Sequence, residues 1–249
     1  MRSTDTLFAR HIAVAIAACA IGAGPVLANA LVVRSSGPSA GAFPPGKMLP
    51  DTAKIALKTY DQITLLDEHG TRTLRGPGTF SALATASAEP SGGTALAAIV
   101  DQRTDRRVRI GAVRGPEAVA KRPPSLWSVD TSHDATFCVS DPAQVALWRP
   151  ASDAAGDTMI SDPGGGSTTI SWTPGEANQP WPASLPITDG ARYRLATAGS
   201  PPVTVQFSLI GDAPADMQGT AETLIQHGCR QQLDLLVDTA SAVTAASTD

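Results

Sequence analysis

Apolar and polar residues alternate along the first half of the chain with the two-residue period of a half-buried β-strand. Residues 53–58 and 61–66 show this alternation, and residues 31–34 open the region with a short apolar run. The sequence Asp-Glu-His-Gly at 67–70 predicts a hairpin turn that leads into another strand at 71–75. The pattern therefore predicts a small unit of short strands joined by tight turns.

The second half of the chain carries short apolar runs at a spacing of about ten residues, which is typical of an all-β sandwich. We predict this sandwich over residues 125–211. Its predicted strands are 126–129, 136–140, 144–149, 168–172, 192–196 and 203–210. Before it, residues 94–105 predict a short helix, residues 107–113 a strand, and the Gly- and Pro-containing residues 115–124 a linker.

Toward the C-terminus the apolar period changes to that of a helix. Ile225, Cys229, Leu233 and Leu236 follow one another at helical spacing, which predicts a helix within residues 212–240 with Cys229 facing the protein. The small residues of 241–249 predict a disordered tail.

The first 30 residues have the pattern of an export signal, with Arg2 and Arg10 ahead of an uncharged apolar run at 12–22. The sequence Ala28-Asn29-Ala30 is a small-x-small motif, so we predict cleavage after Ala30. The alternative is a lipoprotein anchored through Cys19. No later stretch is long and apolar enough to span a bilayer, so the mature chain is expected to be periplasmic or secreted.

Outside the cytoplasm an even pair of cysteines is a candidate disulfide, and Cys138 and Cys229 are the two that follow the signal. Two separate buried thiols are the alternative.

The 249 residues carry a formal net charge of −4, a mild acidity that favours solubility and does not indicate nucleic-acid binding.

Residues 46–80, GKMLPDTAKIALKTYDQITLLDEHGTRTLRGPGTF, resemble the periplasmic domain of FecR-type sensors. Those domains repeat short strands around a Gly-Asp, Leu-Leu-Asp, Gly-Pro-Gly cadence. This chain departs from it at Tyr60, which stands where the family usually has Gly before Asp61. The resemblance implies a small β-rich unit, which we place at 31–114.

Residues 189–195, Asp-Gly-Ala-Arg-Tyr-Arg-Leu, resemble the tyrosine corner of immunoglobulin-like domains. Cys138, Trp148 and Tyr193 fall in the order of that family's B-strand Cys, C-strand Trp and F-strand Tyr. Leu195 stands where the family's second Cys would be, which leaves Cys138 available to Cys229. The expected fold is thus mostly β: a FecR-like unit, an immunoglobulin-like sandwich and a docked C-terminal helix.

Candidate catalytic and metal motifs lack their usual context. Gly37-Pro38-Ser39-Ala40-Gly41 matches G-x-S-x-G, but the Pro-rich residues after it cannot begin the helix that a Ser39 nucleophile elbow needs. His133 stands near Asp130 and Asp134, with no second His or Cys at ligand spacing. We therefore expect no catalytic, cofactor or metal site, with a serine hydrolase using Ser39 as the alternative.

Two surfaces remain as binding candidates. A basic concentration could contact an anion or an acidic partner, and consists of Arg103, Arg106, Arg107, Arg109 and Arg114. Trp181 lies between two prolines in a predicted loop and could stack on a sugar. The sequence predicts a non-enzymatic exported binding or accessory protein whose partner is another envelope protein, with a carbohydrate-binding module as the alternative.

Overall fold

The computed structural model describes residues 29–82, 122–150 and 153–246. Their fold is mostly β, with a helix pair at the C-terminal end. The strands are β1 (Asn29–Ser36), β2 (Met48–Pro50), β3 (Lys54–Leu57), β4 (Gln62–Asp67), β5 (Gly70–Arg75), β6 (Gly78–Ser81), β7 (Ser128–Asp130), β8 (Ala135–Val139), β9 (Ala146–Trp148), β10 (Gly156–Ser161), β11 (Ser167–Trp172), β12 (Asn178–Pro180), β13 (Arg192–Thr197) and β14 (Val203–Leu209). The helices are α1 (Met217–Gln226) and α2 (Arg230–Ala246).

The N-terminal unit consists of an antiparallel sheet in the order β2-β1-β4-β5 and a ribbon of β3 and β6. Strand β4 is central in this sheet, since it pairs with β1 on one edge and with β5 across the hairpin on the other, and residues 63–66 are all buried because both of its faces are covered. Ala30, Val32, Ile55 and Leu65 belong to the core that this sheet and ribbon enclose.

A β-bulge in β1 determines which of its side chains face the helix pair. Val32 pairs with Leu65 and Arg34 pairs with Thr64, so Val33 is an extra residue in the ladder. An extra residue shifts the alternation by one, and side chains beyond it change faces. As a result the Arg34 side chain reaches the helix pair, where it contacts Asp234 and Asp238.

The second unit is a sandwich of a five-stranded sheet, β11-β10-β13-β14-β8, and a three-stranded sheet, β12-β9-β7. Two pairings are parallel, β14 with β8 and β7 with β9. Residues of both sheets form one core. The Tyr193 hydroxyl donates to the Pro186 carbonyl oxygen, which is the backward hydrogen bond that a tyrosine corner makes.

The helix pair packs against both units. A third core joins Leu31 and Val33 of β1, Leu126 and Trp127 before β7, and the apolar faces of α1 and α2. Asp216 caps α1 by accepting from the Gly219 amide. We call this set of residues the shared core, because neither unit buries it alone.

The structure corrects two boundaries. The predicted single helix at 212–240 is two helices, since His227-Gly228-Cys229 breaks it and Gly228 has a φ of +74° that favours glycine. The predicted tail begins inside α2, which continues to Ala246. Strand β1 covers Asn29–Ser36, so the predicted cleavage after Ala30 falls within the segment that forms this strand, and that cleavage stays a prediction.

The predicted helix at 94–105, the strand at 107–113 and most of the linker at 115–124 lie outside the described residues. Strands β2, β6, β10 and β12 were not predicted. Two of these, β2 and β12, are three residues long and end in proline, so no alternation could reveal them.

Candidate functional site

A groove of about 650 Å³ opens where the helix pair stops covering the N-terminal sheet. Its floor is the polar end of β1 and β4, including Ser36, Gln62 and Thr64. One wall is the end of α1 and the beginning of α2, with Leu224, Ile225, Arg230 and Leu233, and Pro45 of the β1–β2 loop lies at the rim. The volume is that of a typical small-molecule site.

The two arginines of this groove have different surroundings. Arg34 Nε lies 2.7 Å from Asp234 Oδ1, and its Nη1 lies 2.7 Å from Asp238 Oδ1. Burial alone would lower the pKa of Arg34, but these two hydrogen-bonded carboxylates raise it, so its charge is held in place. Arg230 has no carboxylate within ion-pair distance among the residues that the structure describes.

The disulfide fixes the groove's helical wall. Cys138 of β8 and Cys229 between the helices are bonded, as expected for the cysteine pair that follows the signal. Gln232, three residues further along α2, hydrogen-bonds both backbone groups of Cys138. The turn between α1 and α2 is thus attached to the sandwich by one covalent bond and by a buried amide.

Next to the groove, the Asp61 carboxylate organises three loops. It accepts from the Ser39 amide of the β1–β2 loop at 2.8 Å and from the Lys58 amide of the β3–β4 turn. Its carbonyl accepts from the Gly76 amide of the β5–β6 turn at 2.9 Å. Burial would raise the pKa of Asp61, but the hydrogen bonds from Ser39 and Lys58 lower it, so the carboxylate stays ionised.

Tyr60 projects from this network into solvent. Its side chain is 88% exposed and its φ is +71°, in the left-handed region that L-residues other than Gly, Asn and Asp rarely adopt. Gly37 packs against it so closely that a Cβ at position 37 would lie 2.5 Å from the Tyr60 carbonyl oxygen. This close packing and the hydrogen bonds of Asp61 hold the backbone of the turn, although the aromatic ring that it carries makes little contact with the protein. Two exposed cations lie nearby in the fold: Lys58, two residues earlier, and Arg75, the β5 partner of Gln62.

The structure does not support the exposure expected of Trp181. The side chain is 9% exposed, its ring packs edge-on against Tyr193 and Phe207, and its Nε1 donates to the Leu185 carbonyl oxygen. Trp181 directly follows Pro180, the last residue of β12, and its amide donates to the Val145 carbonyl oxygen, so the ring is held at the edge of the three-stranded sheet and packs into the sandwich core. A buried ring offers no face for stacking on a sugar.

Ser39 stands at the start of a one-turn 3-10 helix, Ala40–Ala42, where its amide is used by Asp61. Each described histidine is placed elsewhere: His69 lies beside Glu68, His133 beside Asp130, and His227 bonds the Ser208 hydroxyl. Within the described residues, none of them pairs with Ser39, and no cluster of three metal ligands is found.

Sequence reasoning missed both the groove and Tyr60. The groove depends on the bulge at Val33 and on the break between the helices, which no periodic pattern reveals. Tyr60 did have a signal, since it replaces the glycine of the FecR-like cadence, and a glycine position often has a positive φ.

Arg103, Arg106, Arg107, Arg109 and Arg114 lie outside the described residues. Among those that are described, no helix is long and apolar enough to cross a membrane. Comparisons with known protein families, with curated proteins and with solved structures find no match.

Proposed function

We propose that the chain is a non-enzymatic binding protein of the bacterial cell envelope, exported to the periplasm and acting as a signalling partner or scaffold for another envelope protein. The observation that carries this proposal is Tyr60, an exposed aromatic residue in a left-handed conformation on a turn whose backbone is held by Asp61.

A left-handed backbone costs an L-residue about 1–2 kcal/mol, and glycine would remove that cost. Strained backbone conformations of this kind cluster at functional sites, where the side chain at the strained position takes part in the function. Tyrosine is one of the residues that dominate the binding energy of protein interfaces. The Asp61 network holds the turn before a partner arrives, so that little ordering is needed on binding.

The charges around Tyr60 favour an acidic partner surface. Lys58, two residues before Tyr60, and Arg75, which pairs with Gln62 across the β4–β5 hairpin, are both exposed, while the adjacent carboxylate of Asp61 is buried and accepts from backbone donors. Exposed cations at the rim of an interface chiefly accelerate association and make it sensitive to salt. The partner would therefore present carboxylates around a pocket for the ring.

Two further features support the envelope as the place of action. The Cys138–Cys229 disulfide is a bond that persists in oxidising compartments. The resemblance of residues 46–80 to FecR-type sensors covers the turn that carries Tyr60, and it favours a role in envelope signalling over one in catalysis.

The test is photocrosslinking in the host bacterium, with benzoylphenylalanine in place of Tyr60 and, as the control, in place of exposed Thr169 on β11. We expect one discrete adduct with an envelope protein from position 60 and none from position 169. In spheroplasts, added wild-type protein should reduce the amount of the position-60 adduct by competing for the partner. The added Tyr60→Gly variant should leave the amount of adduct unchanged. Equal adducts at both positions, or equal competition by the variant, would contradict the proposal.

Measurements of stability distinguish a loss of partner binding from a loss of folding. Because glycine relieves the left-handed strain but gains entropy in the unfolded chain, Tyr60→Gly should be as stable as the wild type or up to about 1 kcal/mol more stable. Tyr60→Ala keeps the strain and removes the ring. We expect both variants to lose binding and to fold normally, as measured by urea unfolding. A marked loss of stability in Tyr60→Gly would show that the ring has a structural role.

A further inference from the structure

We infer that the groove between the N-terminal sheet and the helix pair binds a small amphipathic anion, a single aliphatic chain with a carboxylate or similar head group. This site is separate from the surface around Tyr60 that is proposed to bind a protein. The inference rests on three properties of the groove: its size, the distribution of polar and apolar atoms on its walls, and the pairing of its charges.

The first property is size. At about 650 Å³ the groove is too large for a single inorganic ion and falls within the 300–1,000 Å³ range of small-molecule sites. It is also shaped by fixed elements, since the bulged strand β1 forms the floor and the disulfide holds the turn between the helices. A groove of this kind exists before the ligand arrives, which lowers the cost of binding.

The second property is the separation of polar and apolar lining. Leu224, Ile225 and Leu233 form an aliphatic wall. Its free surface comes mainly from Ile225, because Leu224 and Leu233 belong to the shared core and are 2% and 6% exposed, and Pro45 continues it at the rim. The opposite side has hydroxyl and amide groups from Ser36, Gln62 and Thr64. A ligand that matches both sides has an apolar chain along the helices and polar atoms toward the strands. A purely polar solute would leave the aliphatic wall uncovered.

The third property is charge. Both carboxylates on this side of α2 already have cationic partners. Asp234, which also lines the groove, accepts from Arg34 Nε, and Asp238 accepts from Arg34 Nη1 and lies 3.5 Å from Arg122 Nη1. Arg230, one turn before Asp234 on the same helix, lines the groove and has no carboxylate within ion-pair distance among the described residues. A guanidinium that lacks an internal partner favours a planar anionic head group, which it can bind with two parallel hydrogen bonds.

The test is calorimetric titration of the purified full-length protein with sodium decanoate, which has both the chain and the head group. Decanol, which keeps the chain, and acetate, which keeps the head group, are the matched probes. We expect saturable one-to-one binding of decanoate, weaker binding of decanol and none of acetate. An absence of saturable decanoate binding would overturn the inference, and so would acetate binding as tight as that of decanoate.

Three variants locate the site. Arg230→Gln should weaken decanoate binding about tenfold or more, because a charged hydrogen bond is lost, and should leave decanol binding unchanged. Ser36→Trp, at an exposed position on the floor, should block both probes by filling the groove. Arg194→Gln removes an exposed arginine of β13 in the sandwich and should have no effect. Unchanged decanoate binding in Ser36→Trp, or equal weakening in Arg194→Gln, would place the anion elsewhere and refute the proposed site.

Discussion

At the residue scale, Gln232 shows how one amide can complete a sheet. Strand β8 is an edge of the five-stranded sheet, so its outer backbone groups need partners. Gln232 is 3% exposed and provides them, since its Oε1 accepts from the Cys138 amide and its Nε2 donates to the Cys138 carbonyl. The same nitrogen also donates to the Leu126 carbonyl at 2.8 Å. The side chain thus takes the place of a neighbouring strand.

Gln232→Ala should therefore be strongly destabilising. It leaves buried backbone groups of Cys138 and Leu126 without partners, and each such group costs about 1–3 kcal/mol. We expect the free energy of unfolding to fall by roughly 2–4 kcal/mol, measured by urea titration without reductant. Gln231→Ala is the matched control, because Gln231 is half-buried and makes one long hydrogen bond. Similar losses in the two variants would contradict the role assigned to Gln232.

The sequence contained part of this information. The helical spacing of Ile225, Cys229 and Leu236 predicts that α2 turns this face toward the protein. Gln232 lies on the same face, and a polar residue there indicates a buried hydrogen bond. Its partners could not be predicted, because they come from a strand more than ninety residues earlier in the chain. The local hydrophobic period predicts which face of a helix or strand is buried. It does not predict which distant element packs against that face.

At the element scale, the same division explains which elements could be predicted. The β4–β5 hairpin follows from alternation and a short turn, both of which are local. The bulge at Val33 and the break at Gly228 depend on what packs against β1 and α1, so periodicity predicted neither. For this reason the fold class and the disulfide follow from the sequence, while the groove that these two irregularities create does not.

The loops at the Tyr60 end are connected by one carboxylate, and their stability should therefore depend on pH. The hydrogen bonds from Ser39 and Lys58 hold the pKa of Asp61 below its ordinary value of 3.8. The unfolded chain then binds the proton more readily than the folded one, so folded stability is complete above that value and declines as the pH falls through the lowered pKa. The decline begins near pH 4 and continues below it.

Asp61→Asn tests this directly by urea unfolding at pH 7, 5 and 3. The amide cannot accept from two backbone donors as a carboxylate does, so we expect lower stability at pH 7. We also expect a smaller loss between pH 5 and pH 3 than in the wild type, since the titrating group is gone. Asp157→Asn, at an exposed position of β10, should keep the wild-type decline. An undiminished acid decline in Asp61→Asn would assign the pH dependence to other groups.

At the scale of the whole molecule, the helix pair packs against both β units and should therefore make them unfold together. The shared core takes Leu31 and Val33 from the N-terminal sheet and Trp127 and Cys138 from the sandwich side. Other contacts also join the helices to both units. Arg34 of the N-terminal sheet pairs with Asp234 and Asp238 of α2, and on the sandwich side the disulfide and Gln232 attach the helix pair to β8. If either unit unfolds, the helices lose that unit's part of the surface on which they pack.

We therefore expect a destabilising substitution in one unit to lower the stability of the other unit as well. Leu185 is buried in the sandwich core alone, and truncating it to alanine should cost about 2–5 kcal/mol. Native-state hydrogen exchange then compares the amides of Leu65, in the centre of the N-terminal sheet, and Leu195, in the centre of the five-stranded sheet. Because the two units share a core, Leu185→Ala should lower the opening free energy at both amides by the same amount.

The reciprocal variant is Leu49→Ala, in the N-terminal core, which should lower protection at Leu195 as well as at Leu65. Two independently folding units would give the opposite result, with each variant affecting only the amide in its own unit. Cooperative unfolding has a consequence for the proposed function. A partner that binds the Tyr60 turn then stabilises the sandwich about 120 residues further along the chain as much as the loops that it contacts, by the mass action of binding to the folded state.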